Sequence, residues 1–203
     1  MKKLIALTAF LLVVLGSPTF AGEVTVGYDY YHSSSAGQNA DDGQGFTVGY
    51  KRGLIGSLSG RVDVSYITGI DFAEARDPKG SWGELRGYGA VFNLVYDLRY
   101  SDRLNFSLYA GTGPFWWNFK ENPFLQDNQV TVDVDSSVLY RLGAGADYKL
   151  KDGWVIEVQV GWQDTNIPKD ARDSQGKEWN ILDADGNIGF QSIQTRIGIR
   201  KKF

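Results

Sequence analysis

The chain alternates, and the alternation sorts its small residues. Segments of about ten residues carry apolar side chains on one register and charged or polar ones on the other, the period of two that belongs to β-strands. Gly27, Gly49, Gly69, Gly87, Gly89, Gly111, Gly113, Gly143, Gly145, Gly161 and Gly198 stand on the polar register. With them stand Asp29, Lys51, Arg61, Asp63, Asn93, Asp97, Asn105, Arg141, Asp147, Lys149, Glu157, Gln159, Arg196 and Arg200. A soluble β-sandwich buries its apolar face, exposes its polar one and has little reason to place glycines so strictly. A narrow closed barrel has one. Eight strands leave an interior just wide enough for side chains, and large charged groups fit there only beside small neighbours.

Eight such segments can be drawn, at about 23–32, 45–52, 60–70, 84–98, 103–117, 137–150, 154–164 and 193–203. Their lipid-side register holds Val26, Tyr28 and Tyr30 in the first and Val62, Val64, Tyr66 and Ile70 in the third. The seventh places Val158 there and the eighth Ile199. The links alternate in length. Ser33–Gln44, Asp71–Gly83, Asn118–Ser136 and Thr165–Gly189 are long. Arg99–Arg103 and Lys151-Asp152-Gly153 are tight, with Gly153 where a three-residue hairpin needs a left-handed residue, and Arg52–Ser59 is intermediate. Short turns at one end and long loops at the other are the habit of membrane barrels. Trp154 and Trp162 lie eight residues apart on the lipid register. At a tilt near 40° that is about 21 Å along the membrane normal, enough to seat both in aromatic girdles. The expected fold is all-β, an eight-stranded antiparallel up-and-down transmembrane β-barrel.

The two ends of the chain agree. Met1-Lys2-Lys3, the apolar run Leu4–Gly16 and the small residues before Ala21 read as a secretory signal peptide over 1–21, too short for a spanning helix. The barrel would then occupy 22–203, which is 203 − 21 = 182 residues carrying 19 − 24 = −5 formal charges once Lys2 and Lys3 leave. The last strand ends on Phe203. The absence of cysteine removes a disulfide framework and thiol chemistry. No later apolar stretch approaches the roughly 18 residues of a membrane helix, and no basic patterning points to nucleic acid.

On these features the chain resembles the OmpA/OmpX-like family of small outer-membrane β-barrels. The resemblance rests on the export signal, eight strands, the glycine-rich inner register, Gly143-Ala144-Gly145-Ala146-Asp147-Tyr148 and the terminal Phe203. It implies the bacterial cell outer membrane as location. It also implies that Phe203 is the signal read by the barrel assembly machinery. Outer-membrane lipids and lipopolysaccharide are the expected surroundings, with a monomer as the expected state, no nucleic-acid partner and a surface ligand unknown.

Charged groups inside such a barrel must pair or stay hydrated. The expected ionic network is Arg61, Asp63, Arg141, Glu157, Arg196 and Arg200. Glu157 should find its bases on the neighbouring strands, from Arg141, Lys149, Arg196 and Arg200. Asp63 should pair with Arg61 or Lys51, and Asp147, opposite Glu157, needs basic partners of its own. A plug of salt bridges is favoured over a selectivity filter because the bore is narrow. The expected role is structural or surface-interacting, in adhesion or envelope integrity, with no enzymatic activity, cofactor or metal. A small-solute conduit is one alternative.

A lipid A-modifying enzyme using His32 is the other. His32-Ser33-Ser34-Ser35 faintly resembles the His-x-Ser-Asn motif of lipid A deacylases, with Ser35 in place of Asn, and lies in the first strand rather than late in the chain. Lipid A palmitoyltransferases place a histidine near the first loop and an Asp-Ser pair in a later one, and the second loop here has no such pair. No acid stands at a diagnostic spacing from His32, although Asp41, Asp42, Asp71 or Asp77 lie within reach of a loop. Asp183-Ala184-Asp185-Gly186-Asn187 lacks the spacing and terminal Glu of a calcium loop and reads as a turn. Asp127, Asp133 and Asp135 make the third loop acidic. Pro123-Phe124-Leu125 and Trp179 with Ile181-Leu182 place apolar groups in long loops, where they pack together or meet a partner.

Overall fold

The computed structural model describes residues 22–33, 40–74, 77–179 and 187–203. The signal segment 1–21, Ser34, Ser35 and Asp183 to Gly186 lie outside them. The elements are β1 (Glu23–Ser33), β2 (Gly43–Ile55), β3 (Leu58–Glu74), β4 (Asp77–Arg99), β5 (Leu104–Glu121), α1 (Pro123–Asp127), β6 (Thr131–Val134), β7 (Ser137–Lys149), β8 (Trp154–Arg172) and β9 (Asn187–Lys202). All pairings are antiparallel, and β1 pairs with β9 from Glu23↔Lys202 to Ser33↔Ser192. That pairing closes the sheet. Of the nine strands among the described residues, β6 adds only to β8, and the other eight form the ring.

The turns at one end are all short. The β2–β3 link, read from sequence as intermediate, is a two-residue turn at Gly56 and Ser57, with Gly56 at φ +56°. Asp152 and Gly153 both take positive φ, 58° and 74°, to close the β7–β8 hairpin. Both ends of the barrel lie here, and the Phe203 amide donates to the Gly22 carbonyl at 3.0 Å. This is the periplasmic end.

The other end departs from the expected long loops. Most of their described residues are strand. β3 and β4 run on to Glu74 and Asp77, β8 reaches Arg172, and the third link contains α1 and β6. From Trp162 to Arg172 is ten residues, about 26 Å of wall above the outer aromatic level. α1 is capped by Asn122, whose side chain accepts the Leu125 amide at 2.9 Å, with Pro123 in the first turn.

The outer face is apolar in a band and polar above it. Val26, Phe46, Phe92, Leu94, Leu142, Val158, Ile197 and Ile199 are exposed. So are Trp154 and Trp162 at the ends of that band on β8. Beyond Trp162 the outward positions become Asp164, Asn166, Pro168, Asp170 and Arg172. On β5 the change falls between Trp116 and Asn118, and on β4 between Tyr88 and Arg86.

One outward assignment is corrected. Ile70 is fully buried inside the barrel rather than facing lipid. The β3–β4 register shifts between Ile67 and Ile70, where Gly69 takes φ +76°. The bulge inserts one residue and flips the side chains beyond it to the opposite face.

Candidate functional site

The inside of the barrel has two storeys. The lower one, enclosed by the apolar band, is ionic. Asp63 on β3 is fully buried and receives three guanidiniums: Arg61 Nε at 2.7 Å, Arg196 Nη1 at 3.1 Å, and Arg141 Nη2. Glu157 on β8 is held by Arg61 Nη2 at 2.9 Å and by Arg200 Nη1 at 3.1 Å. Arg200 also meets Asp147 at 2.6 Å and Glu23 at 2.9 Å. Asp29 accepts Arg196 Nε at 2.6 Å, Gln194 Nε2 at 2.7 Å and Thr47 Oγ1 at 2.6 Å. Arg141 Nε donates to Asn93 Oδ1, and Arg196 Nη2 donates to Thr47 Oγ1 at 2.8 Å. Four guanidiniums thus meet four deeply buried carboxylates, Asp29, Asp63, Asp147 and Glu157, with Glu23 at the edge.

The six residues expected in an ionic network are therefore in contact, but the pairing differs from the expectation. Glu157 bonds neither Arg141, Lys149 nor Arg196. Its second base is Arg61 on β3, and β3 and β8 stand four strands apart in either direction around the ring. The Arg61 side chain spans the diameter. Arg141 and Arg196 reach across to Asp63 in the same way. Lys51 pairs with Asp97 at 2.6 Å instead of Asp63. Cross-bore contacts join residues that no register pair connects, so strand adjacency misses them.

Glycine makes room for these side chains. A Cβ at Gly49 would run into the Asp63 carboxylate, and one at Gly143 or Gly161 would meet the Tyr109 ring. That ring in turn lies 5.7 Å below the Arg141 guanidinium, within cation–π range.

The upper storey is an apolar core. Tyr31, Ile67, Ile70, Phe72, Leu85, Phe115, Leu139, Ile167, Ile188 and Phe190 each expose 2% or less. Leu125 from α1, with Val130 and Val132, caps the cluster. Phe115 and Trp117 rings lie 4.9 Å apart, and Trp117 donates through Nε1 to Ser137 Oγ at 2.7 Å. Phe124 is exposed and packs edge-on against Trp82 at 6.2 Å, while Trp179 packs against the core. Ile181 and Leu182 lie outside the described residues. The sequence carried a signal for this storey: after Gly113 the odd positions of β5 turn aromatic, at Phe115, Trp117 and Phe119.

Two polar groups mark the outside of the rim. Asp42 accepts His32 Nδ1 at 2.8 Å, the Ser33 amide at 3.3 Å and the Tyr30 hydroxyl. The hydrogen bond from Tyr30, joined by those from His32 and Ser33, holds the Asp42 carboxyl below its usual range. His32 thus has the orienting acid that spacing alone did not identify, and its side chain is 67% exposed. No serine hydroxyl among the described residues bonds to it. Above the girdle on β4, Glu84 accepts Thr68 Oγ1 at 2.7 Å and the Gly69 amide at 2.9 Å and pairs with Arg86. The hydrogen bond from Arg86, with those from Thr68 and Gly69, lowers the Glu84 carboxyl to about 2. Asp127, Asp133 and Asp135 are exposed. Among the described residues no three His, Cys, Asp or Glu side chains gather as metal ligands.

Residues 6–200 match the family described as outer membrane protein beta-barrel domain. No curated protein matches the chain. Its fold is similar to that of the outer membrane protein OprG from Pseudomonas aeruginosa, at 11% identity over 90% of this chain and 96% of that one, with a TM-score of 0.68. A major outer membrane protein from Thermus thermophilus is similar at 12% identity over 91% of this chain and 100% of that one, with a TM-score of 0.56. Neisserial surface protein A is similar at 14% identity over 90% and 96% of the two chains, with a TM-score of 0.51. At these identities the likeness is one of fold.

Proposed function

The chain belongs to the outer membrane protein β-barrel domain family of bacteria, and from that premise we propose that it is a non-conducting, non-enzymatic scaffold that acts through its extracellular rim in adhesion or envelope integrity. One observation carries this reading: above its periplasmic mouth the bore is blocked by side chains. Side chains cross the lower storey from wall to wall, and the upper storey is a cluster of buried apolar side chains. A pore that conducts would need water along its axis. What remains for interaction is the rim, with its acidic outer surface and the exposed Phe124. Lipopolysaccharide and other outer-membrane lipids surround the apolar band of a monomeric barrel, and Phe203 serves the assembly machinery.

Purified protein in planar bilayers should give no discrete conductance steps, and liposomes carrying it should not swell in small sugars. Reproducible steps that vanish with the protein would overturn the scaffold reading. Deleting Phe203 should reduce the heat-modifiable, folded form in the membrane fraction, and unchanged assembly would remove its role as a signal.

The His32–Asp42 pair favours a second reading as a lipid A-modifying enzyme. An exposed imidazole, oriented through Nδ1 and facing outward at the lipid–water boundary, is placed as a general base would be. Mass spectrometry of lipid A from cells with and without the protein, and with His32→Ala, decides it. An acyl pattern that changes with the protein and reverts in His32→Ala would replace the scaffold reading.

A further inference from the structure

The periplasmic mouth holds two adjoining hollows of about 360 and 470 Å³ that share Glu23, Lys51, Asp97 and Lys202. Arg200 and Asp147 belong to the wall of the first, and the bonds from Arg200 to Glu157 and from Glu157 to Arg61 close the way upward. The recess is therefore a dead end with the volume of a small-molecule site.

Its charges do not cancel. The first hollow is lined by four cations, Lys51, Lys149, Arg200 and Lys202, and by three carboxylates, Glu23, Asp97 and Asp147. Every carboxylate is taken. Asp97 pairs with Lys51 at 2.6 Å, and Glu23 and Asp147 pair with Arg200 at 2.9 and 2.6 Å. Lys149 and Lys202 are left with no carboxylate partner among the described residues. A third feature is independent of charge. Asn105, in the same wall, has an enclosed Oδ1 that receives no donor. A buried acceptor without a donor costs stability until something supplies one.

We infer that this vestibule binds a small oxyanion, a carboxylate or a phosphate monoester, between the Lys149 and Lys202 ammoniums, with an N–H or O–H next to the anion donating to Asn105. The low-dielectric lining of the recess strengthens the attraction relative to an open surface. The ligand enters from the periplasm, since the opposite side is closed. The site stands apart from the scaffold reading: a conducting bore would sink that reading and leave these two lysines at its mouth.

Calorimetric titration of the full chain, folded in detergent, tests it with three probes: acetate, N-acetylglycine and glycerol 3-phosphate. At least one should bind saturably at a single site. The double variant Lys149→Gln with Lys202→Gln, checked for folding by heat-modifiability, should weaken that binding tenfold or more. Control variants Arg103→Gln and Lys151→Gln, exposed in the periplasmic turns and outside both hollows, should bind as the parent does. N-acetylglycine should bind more tightly than acetate, and Asn105→Ala should abolish that advantage. Tighter binding of glycerol 3-phosphate or of N-acetylglycine assigns the anion as phosphate or carboxylate. The inference is overturned if no probe saturates, if the double variant stays within twofold of the parent, or if the turn controls lose as much affinity as the double variant.

Discussion

Within the apolar band the barrel is ionic inside and greasy outside; above it, the wall is greasy inside and ionic outside. Strand β8 crosses this boundary without a break, whereas β3 crosses it with the bulge at Gly69. On β8 the inward residues run Glu157, Gln159, Gln163, then Ile167 and Ala171, while the outward ones run Ile156, Val158, Val160, then Asn166 and Asp170. On β8 the alternation is constant and its polarity reverses. Each storey answers its own solvent. Lipid outside demands apolar side chains there and leaves the interior to whatever satisfies itself, whereas water outside demands a conventional hydrophobic core. The upper storey is in effect a small soluble β-protein raised on a membrane barrel.

If the comparison is right, the two storeys should fail differently. The largest effect belongs to Asp63→Asn, which leaves Arg61, Arg141 and Arg196 without their shared carboxylate. Breaking a buried pair of this kind costs about 3–5 kcal/mol, readable as a lower urea midpoint for the barrel in lipid. Glu157→Gln, which removes one of the carboxylates held by Arg61 and by Arg200, belongs to the same class. A loss under about 1 kcal/mol would mean that the lower storey is hydrated and weakly coupled.

Leu85→Ala in the upper storey should cost about 2–5 kcal/mol through the lost burial and the cavity left behind. Its protease cleavage should appear in the rim while the lipid-embedded strands stay protected, whereas Asp63→Asn should loosen the lipid-embedded strands. The same cleavage pattern in both variants would erase the distinction between the storeys.

A smaller loss, about 1–3 kcal/mol from overpacking, is expected for Gly143→Val, whose branches meet the Tyr109 ring. The same change at the exposed Gly176, where nothing lies within 4 Å, would instead test backbone strain alone, since its φ is +80°. If unfolding curves show no loss for Gly143→Val, the inner glycines are not there for room.

The smallest effect is confined to the rim. Glu84 has its carboxyl lowered from 4.5 to about 2, so the contribution of its bonds is complete above 4.5 and is lost as pH falls toward 2. Hydrogen exchange at the Gly69 amide, which donates to Glu84, should quicken over that window relative to amides of the lower storey. An unchanged ratio would show that the Glu84 lock does not hold the bulge.

Strand number, inside and outside faces of the band, and the tight β7–β8 hairpin were legible in the sequence because alternation and turn chemistry are local. Each is decided within a few residues by steric preference and by which solvent a face meets. Ile70 escaped because one left-handed glycine flips every later residue, and a bulge leaves no mark in a period-two count. The long links were read as loops because their polar residues sit on the outward register, where β-strands above a membrane belong in water. The ionic network was legible as a set of residues and not as a set of bonds. Pairing across a bore depends on ring closure and stagger, which bring Arg61 to Glu157 over 96 residues of chain. The Asp42 support of His32 likewise depends on how the first hairpin folds back. Local rules decide which side of the wall a side chain takes; only the closed ring decides what it meets there.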